Sequence, residues 1–149
     1  MGLFLDTSVL VPVFLADHPH HAASLALFLT CNPAVAGCSA HSLAEVYATL
    51  TRLPAPHRAS PEQAVRCIEA IAARLSLISL DAPATLATVR AATSQRIAGG
   101  AVYDLLIATC AIQSDADRIY TWNLRHFERL GTEIARRVAT PPPTDPPTR

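Results

Sequence analysis

Short apolar runs alternate along almost the whole chain with longer stretches of helical spacing, and this alternation restricts the fold more than any other feature. Residues 2–5 (GLFL) read as a short buried strand closed by Asp6-Thr7-Ser8, three residues that cap helices well. A short helix to about Leu15 and a second over 20–29 follow. Residues 34–39 form a small-residue strand, and SAHSLAEVYATLTRL opens an apolar helix. After the loop 54–61, Pro61 starts the helix PEQAVRCIEAIAARL, with Val65, Ile68, Ile71, Ala72 and Leu75 at helical spacing. LSLISL (75–80) alternates as a strand does, and Asp81 and Pro83 begin APATLATVRAATSQRI. Gly99-Gly100 breaks the chain before the helix AVYDLLIATCAIQ. RIYTW (118–122) is a strand and 135–139 a weaker one.

The order β-α-α-β-α-α-β-α-α-β-(α)-β implies a three-layer α/β/α fold with a mainly parallel central sheet of four to five strands. Residues 1–139 make one domain, and the Pro-rich tail 140–149 is expected to be extended and mobile.

Half of the 149 residues are hydrophobic, enough for a real core. The apolar run 9–16 is too short to span a bilayer, and no basic residue precedes it as a signal peptide requires. A cytoplasmic protein without a membrane partner is therefore expected. The cysteines Cys31, Cys38, Cys67 and Cys110 include no C-x-x-C pair, which argues for reduced thiols and against a zinc site built from them. Net charge is zero, and all twelve basic residues are arginine. Mechanisms that need a lysine are excluded, and any bound nucleic acid must meet a local arginine patch.

Three acids stand in apolar surroundings: Asp6 at the end of the first strand, Glu45 in HSLAEVYATL and Asp104 in GGAVYDLLIATCA. Each has a bland account. Asp6 caps the following helix, Ser42 and Glu45 form a capping box, and Asp104 sits where a negative charge complements the helix dipole. Together they suggest more. In an open α/β sheet the crevice lies beyond the carboxyl ends of the strands, where strand order switches, and Thr121 and Asn123 lie at such an end. Three carboxylates converging there would repel one another, and a hard divalent cation would remove that conflict.

The segments LDTSVLV, SLAEV, VYDLLIATCA and YTWNLRHFERL, in this order and spacing, resemble the PIN-domain ribonucleases and, more narrowly, the VapC toxins of bacterial toxin–antitoxin pairs. The likeness runs from Gly2 to about Ala139. It implies a PIN-like fold in which Asp6, Glu45 and Asp104 are acidic ligands of Mg²⁺ or Mn²⁺. It also implies hydrolysis of RNA phosphodiester bonds by a metal-activated water. Asp6 and Asp104 are then the principal ligands, and Glu45 either binds the metal through water or acts as general base. Where the family often carries a fourth acid, this chain has Asn123, which joins the catalytic set without adding charge and puts a two-metal mechanism in doubt.

Thr7 or Ser8 could support a ligand carboxylate, and Thr121, Arg125 and His126 are further candidates for site support or RNA contact. The implied partners are an RNA substrate, a VapB-like antitoxin, a second copy in a homodimer and a toxin–antitoxin hetero-oligomer.

Other features carry less. His18, His20 and His21 in DHPHH read as a solvated loop rather than a zinc site. Arg125, Arg129, Arg136 and Arg137 are a phosphate-binding edge or an ordinary solvated face. Tyr120 and Trp122 read as core before they read as base-stacking residues. Phosphoaspartyl enzymes and receiver domains fit poorly, since D-T-S replaces D-x-D and lysine is absent. No G-x-G-x-x-G follows a strand, which excludes a dinucleotide site. The remaining alternative is a non-catalytic PIN scaffold that binds RNA or a protein.

Overall fold

The computed structural model describes residues 1–144, so the last five residues of the expected mobile tail lie outside the described residues. Five strands form one sheet in the order β3-β2-β1-β4-β5, and every neighbouring pair is parallel. They are β1 (Leu3–Leu5), β2 (Ala36–Ser39), β3 (Ser76–Ile78), β4 (Arg118–Tyr120) and β5 (Val138–Ala139). Among the described residues the eight helices are α1 (Thr7–Val13), α2 (His21–Thr30), α3 (Ala40–Arg52), α4 (Pro61–Arg74), α5 (Ala82–Ser94), α6 (Ala101–Gln113), α7 (Leu124–Glu128) and α8 (Thr132–Ala135). The three-layer α/β/α expectation holds.

Side chains alternate across the sheet and so separate two cores. Leu5, Ala36 and Cys38 pack with Val9 and Leu10 of α1, Leu27 and Phe28 of α2, Val46 and Leu50 of α3 and Ile71 of α4. On the other face Phe4 and Ile119 pack with Leu105, Ile107 and Ala108 of α6, Phe127 of α7 and Ile134 of α8. Leu3 and Leu5 thus face one layer and Phe4 the other, which is why the strand is apolar throughout rather than alternating.

The strands are shorter than their apolar runs suggest. Residues 33–35 are turn, and Thr121 and Trp122 lie beyond β4. Two short helices rather than one separate β4 from β5, and residues 135–137 of the expected last strand lie in or next to α8. Pro141, the first proline of the tail, is buried just after β5.

Chain order makes β1 the switch strand. From β1 the chain steps to β2 and β3 on one side, then crosses to β4 and β5 on the other. A crevice is required where the connections leave β1 and β4 in opposite directions, at their carboxyl ends. Asp6 follows β1 there, and Thr121 and Asn123 follow β4.

Candidate active site

Asp6 is almost wholly buried, with 2% of its surface exposed, and three donors converge on its Oδ2. The Ser8 hydroxyl donates at 2.6 Å, the Thr121 hydroxyl at 2.8 Å and the Ser8 backbone amide at 3.3 Å. The same two hydroxyls accept backbone amides from the segment after β4: Trp122 N–H donates to Ser8 Oγ and Asn123 N–H to Thr121 Oγ1, each at 2.9 Å. A small polar network thus ties the end of β1 to the end of β4 and aims a carboxylate into the crevice. Burial nevertheless raises the Asp6 pKa, with the Ser8 and Thr121 hydrogen bonds opposing the rise.

This arrangement changes the assignment of the caps. Asp6 is itself the N-cap of α1, and Thr7 is its first helical residue. Neither Thr7 nor Ser8 takes the cap; Ser8 instead supports the Asp6 carboxylate, as expected of it. The cap and the site share one carboxylate because the hydrogen bonds fall on Oδ2.

Glu45 reaches the crevice from the second turn of α3. Ser39 caps that helix, accepting from His41 N–H, so Ser42 lies inside it and the capping-box reading of Glu45 fails. The Ser42 hydroxyl is buried without a partner among the described residues. The Glu45 carboxylate is held at both oxygens: Thr7 Oγ1 donates to Oε2, and His41 Nε2 stands 3.2 Å from Oε1. His41 in turn stacks on Tyr103 of α6, with centroids 5.2 Å apart.

Asp104 lies in the first turn of α6, as the dipole account requires, but its carboxyl is not at ease as an anion. Desolvation is the first cause and the Asp6 charge the second; with a smaller contribution from Glu45 they push its pKa up to about 6, while His126 pulls the other way. His126 Nδ1 is 3.4 Å from Asp104 Oδ2. The mutual influence of Asp104, Asp6 and Glu45 places three acids from three elements in one electrostatic neighbourhood.

Asp6, Glu45, Asp104 and Asn123 line a single open cavity of about 500 Å³ together with Thr7, Ser8, His18, His20, Thr49 and Trp122. All four members of the expected catalytic set are therefore brought together. Thr121 lies beneath them, wholly buried. Arg125 and His126 line a neighbouring depression that shares Trp122 and Asn123. Arg137 is engaged elsewhere, with Ala116 O and Glu133.

Two lining residues, His18 and His20, were not anticipated in these roles, and a third, Trp122, was read first as core. Trp122 lies past the end of β4, and His20 stacks flat on it, with centroids 3.8 Å apart and 7° between planes. His18 completes that wall. The D-H-P-H-H cluster was a signal for them, but reading it as a metal motif or a solvated loop hid its place beside the acids.

The donors suit a hard cation chemically, since carboxylate and amide oxygens dominate the acidic wall. Among the described residues, however, no three His, Cys, Asp or Glu side chains are gathered closely enough to hold a metal as they stand. Glu45 is held by Thr7 and His41, and of the two neighbouring acids Asp6 acts more strongly than Glu45 on Asp104.

A model of the PIN domain matches residues 3–133. Ribonuclease VapC27 of Mycobacterium tuberculosis is 40% identical over 136 residues, 89% of this chain and 94% of the relative. Ribonuclease VapC40 of the same organism is 35% identical over 87% of this chain and 94% of its own length. The chain belongs to the PIN-domain family and, within it, to the VapC ribonucleases.

Solved structures agree on the fold. M. tuberculosis VapC20, a sarcin–ricin loop cleaving toxin, superposes with a TM-score of 0.69 at 16% identity, covering 84% of this chain and 92% of that one. VapBC2 of Rickettsia felis, solved bound to a DNA fragment from its promoter, gives 0.64 at 22% identity, covering 94% and 98%. Among the described residues no helix is long and apolar enough to cross a membrane.

Proposed function

We propose that this chain is a metal-dependent endoribonuclease that acts as the toxin of a toxin–antitoxin pair and is neutralised by a cognate VapB-like antitoxin. The observation that carries the reading is the gathering of Asp6, Glu45 and Asp104 in one cavity, where burial first and then the Asp6 and Glu45 charges raise the pKa of Asp104. A scaffold without catalysis gains nothing from like charges held together against their repulsion.

Asp6 and Asp104 would hold Mg²⁺ or Mn²⁺, with Glu45 acting through a bound water or as general base. Such a cation would supply a water of lowered pKa and neutralise charge on the phosphate. Ser8 and Thr121 fix the Asp6 carboxylate so that it need not reorganise when substrate arrives. Thr7 and His41 orient Glu45, which would take a proton from the attacking water in the general-base role. The exposed Asn123 amide can hydrogen-bond a phosphate oxygen without adding negative charge.

The VapBC complex among the structural neighbours supports an antitoxin partner, and a homodimer within such an assembly is part of the proposal. Inducing the chain alone in bacteria should arrest growth, and co-expression of the antitoxin should restore it. Asp6→Asn and Asp104→Asn should abolish the arrest at matched soluble expression. Equal arrest by all three proteins, or none by the parent chain, would rule the catalytic toxin out in favour of a binding scaffold.

A further inference from the structure

We propose that the His20–Trp122 stack is a seat for one nucleobase of single-stranded RNA, next to the phosphate presented to the carboxylates. The inference rests on the ribonuclease reading above and adds to it a substrate subsite. Both rings are half-buried and line the same cavity as Asp6, Glu45 and Asp104, so a base and its phosphate can be held at once. Its volume of about 500 Å³ suits a nucleotide-sized occupant.

Trp122 is fixed at two points. Its backbone amide donates to Ser8 Oγ and its indole Nε1 to Ser24 Oγ, both at 2.9 Å, and its ring also packs on the core of that layer. One indole face is covered by His20, which is itself set by its backbone N–H donating to His18 Nδ1 at 3.1 Å. The His18 ring stands 5.5 Å from the imidazole and is tilted 45° to it, and both histidines line the cavity, so a base entering there meets the imidazole end of a stack already two rings deep. Bases of unpaired RNA are commonly held in this way, splayed onto aromatic planes.

Charge gives a second reason for such a seat. The chain carries no net charge and no lysine, and the cavity is lined by Asp6, Glu45 and Asp104, so general attraction to phosphate contributes little there. Stacking supplies binding that salt does not screen. Any base has a ring face to offer, and purines, with the larger one, should bind best.

Trp122 is the only tryptophan of the chain and stacks on the imidazole that would receive the base, so its fluorescence reports on the seat one ring away. The full chain in magnesium is mixed in a stopped-flow fluorimeter with single-stranded RNA of about ten nucleotides, and binding is read before cleavage. Base-bearing RNA should quench Trp122, and an abasic ribose-phosphate oligomer should not, binding about tenfold more weakly. His20→Ala should raise KM about tenfold with kcat little changed, and His20→Tyr, which restores a ring, should recover KM. The tyrosine variant keeps the test open if the alanine variant folds poorly. Equal binding of abasic and base-bearing oligomers, or a KM indifferent to His20→Ala, overturns the seat while cleavage itself leaves the ribonuclease reading intact. Base-dependent quenching without cleavage of any RNA, in magnesium or manganese, would instead overturn the ribonuclease reading and spare the seat.

Discussion

Asp104 combines two demands that a single residue meets badly. Its side chain is only one-fifth exposed and it faces the Asp6 charge, which together raise its pKa from 3.8 to about 6. A carboxyl that holds its proton more tightly folded than unfolded favours the fold at low pH. That contribution is full below about 4, declines as pH rises toward 6, and is gone above, where the charged group is a constant burden. A two-unit shift corresponds to about 3 kcal/mol at most, and residual exposure brings it to on the order of 1–2 kcal/mol. Asp104→Asn keeps the shape and removes the charge. In EDTA at pH 7.5 it should therefore be more stable than the parent by about 1–2 kcal/mol in urea denaturation, and at pH 4 no more stable, while losing activity. A variant less stable at pH 7.5 would mean that the Asp104 anion is stabilised by its neighbours after all.

At the scale of elements, β2 shows how closely backbone spacing governs the site's supports. Gly37 pairs with Phe4 on one side and Ser76 on the other. A Cβ at this position would lie 2.9 Å from the Ser76 carbonyl oxygen and 2.6 Å from Met1 Sδ. The methionine can move; the strand carbonyl cannot without parting β2 from β3. Gly37→Ala should cost about 1–3 kcal/mol, seen as a lowered urea midpoint at unchanged m-value. Because β3 carries none of the site residues, activity of the folded protein should survive; its loss would show that α3, which β2 leads into, had shifted Glu45. Caps were harder to read than strands. Ser39, Ser42, Thr7, Ser8 and Asp6 are all competent cap residues, and which one serves depends on where the strand stops. That is decided by pairing with a neighbour distant in sequence, not by the local string.

For the whole molecule, periodicity revealed the layers because each layer is built from local patterns: apolar strands for a doubly covered sheet, one apolar face per helix. It also brought Asp6, Glu45, Asp104 and Asn123 to one place, since parallel connection forces strand ends together at a switch point. The His20–Trp122 wall was not legible, because its two halves are a hundred residues apart and meet only through the packing of α2 against the end of β4. The same global arrangement makes the acid pocket a testable energetic feature of the entire fold. A cation that binds the folded chain alone stabilises it by about 2.7 kcal/mol at a hundredfold excess over Kd, or roughly 5–10 °C in Tm for a chain of this size. Mg²⁺ or Mn²⁺ should therefore raise Tm, EDTA should reverse the rise, and Asp104→Asn, already relieved of repulsion, should lose most of the response. Asp81→Asn, at an exposed cap far from the cavity, should respond as the parent does. A Tm indifferent to both cations would argue that the acids of this pocket serve a purpose other than holding metal.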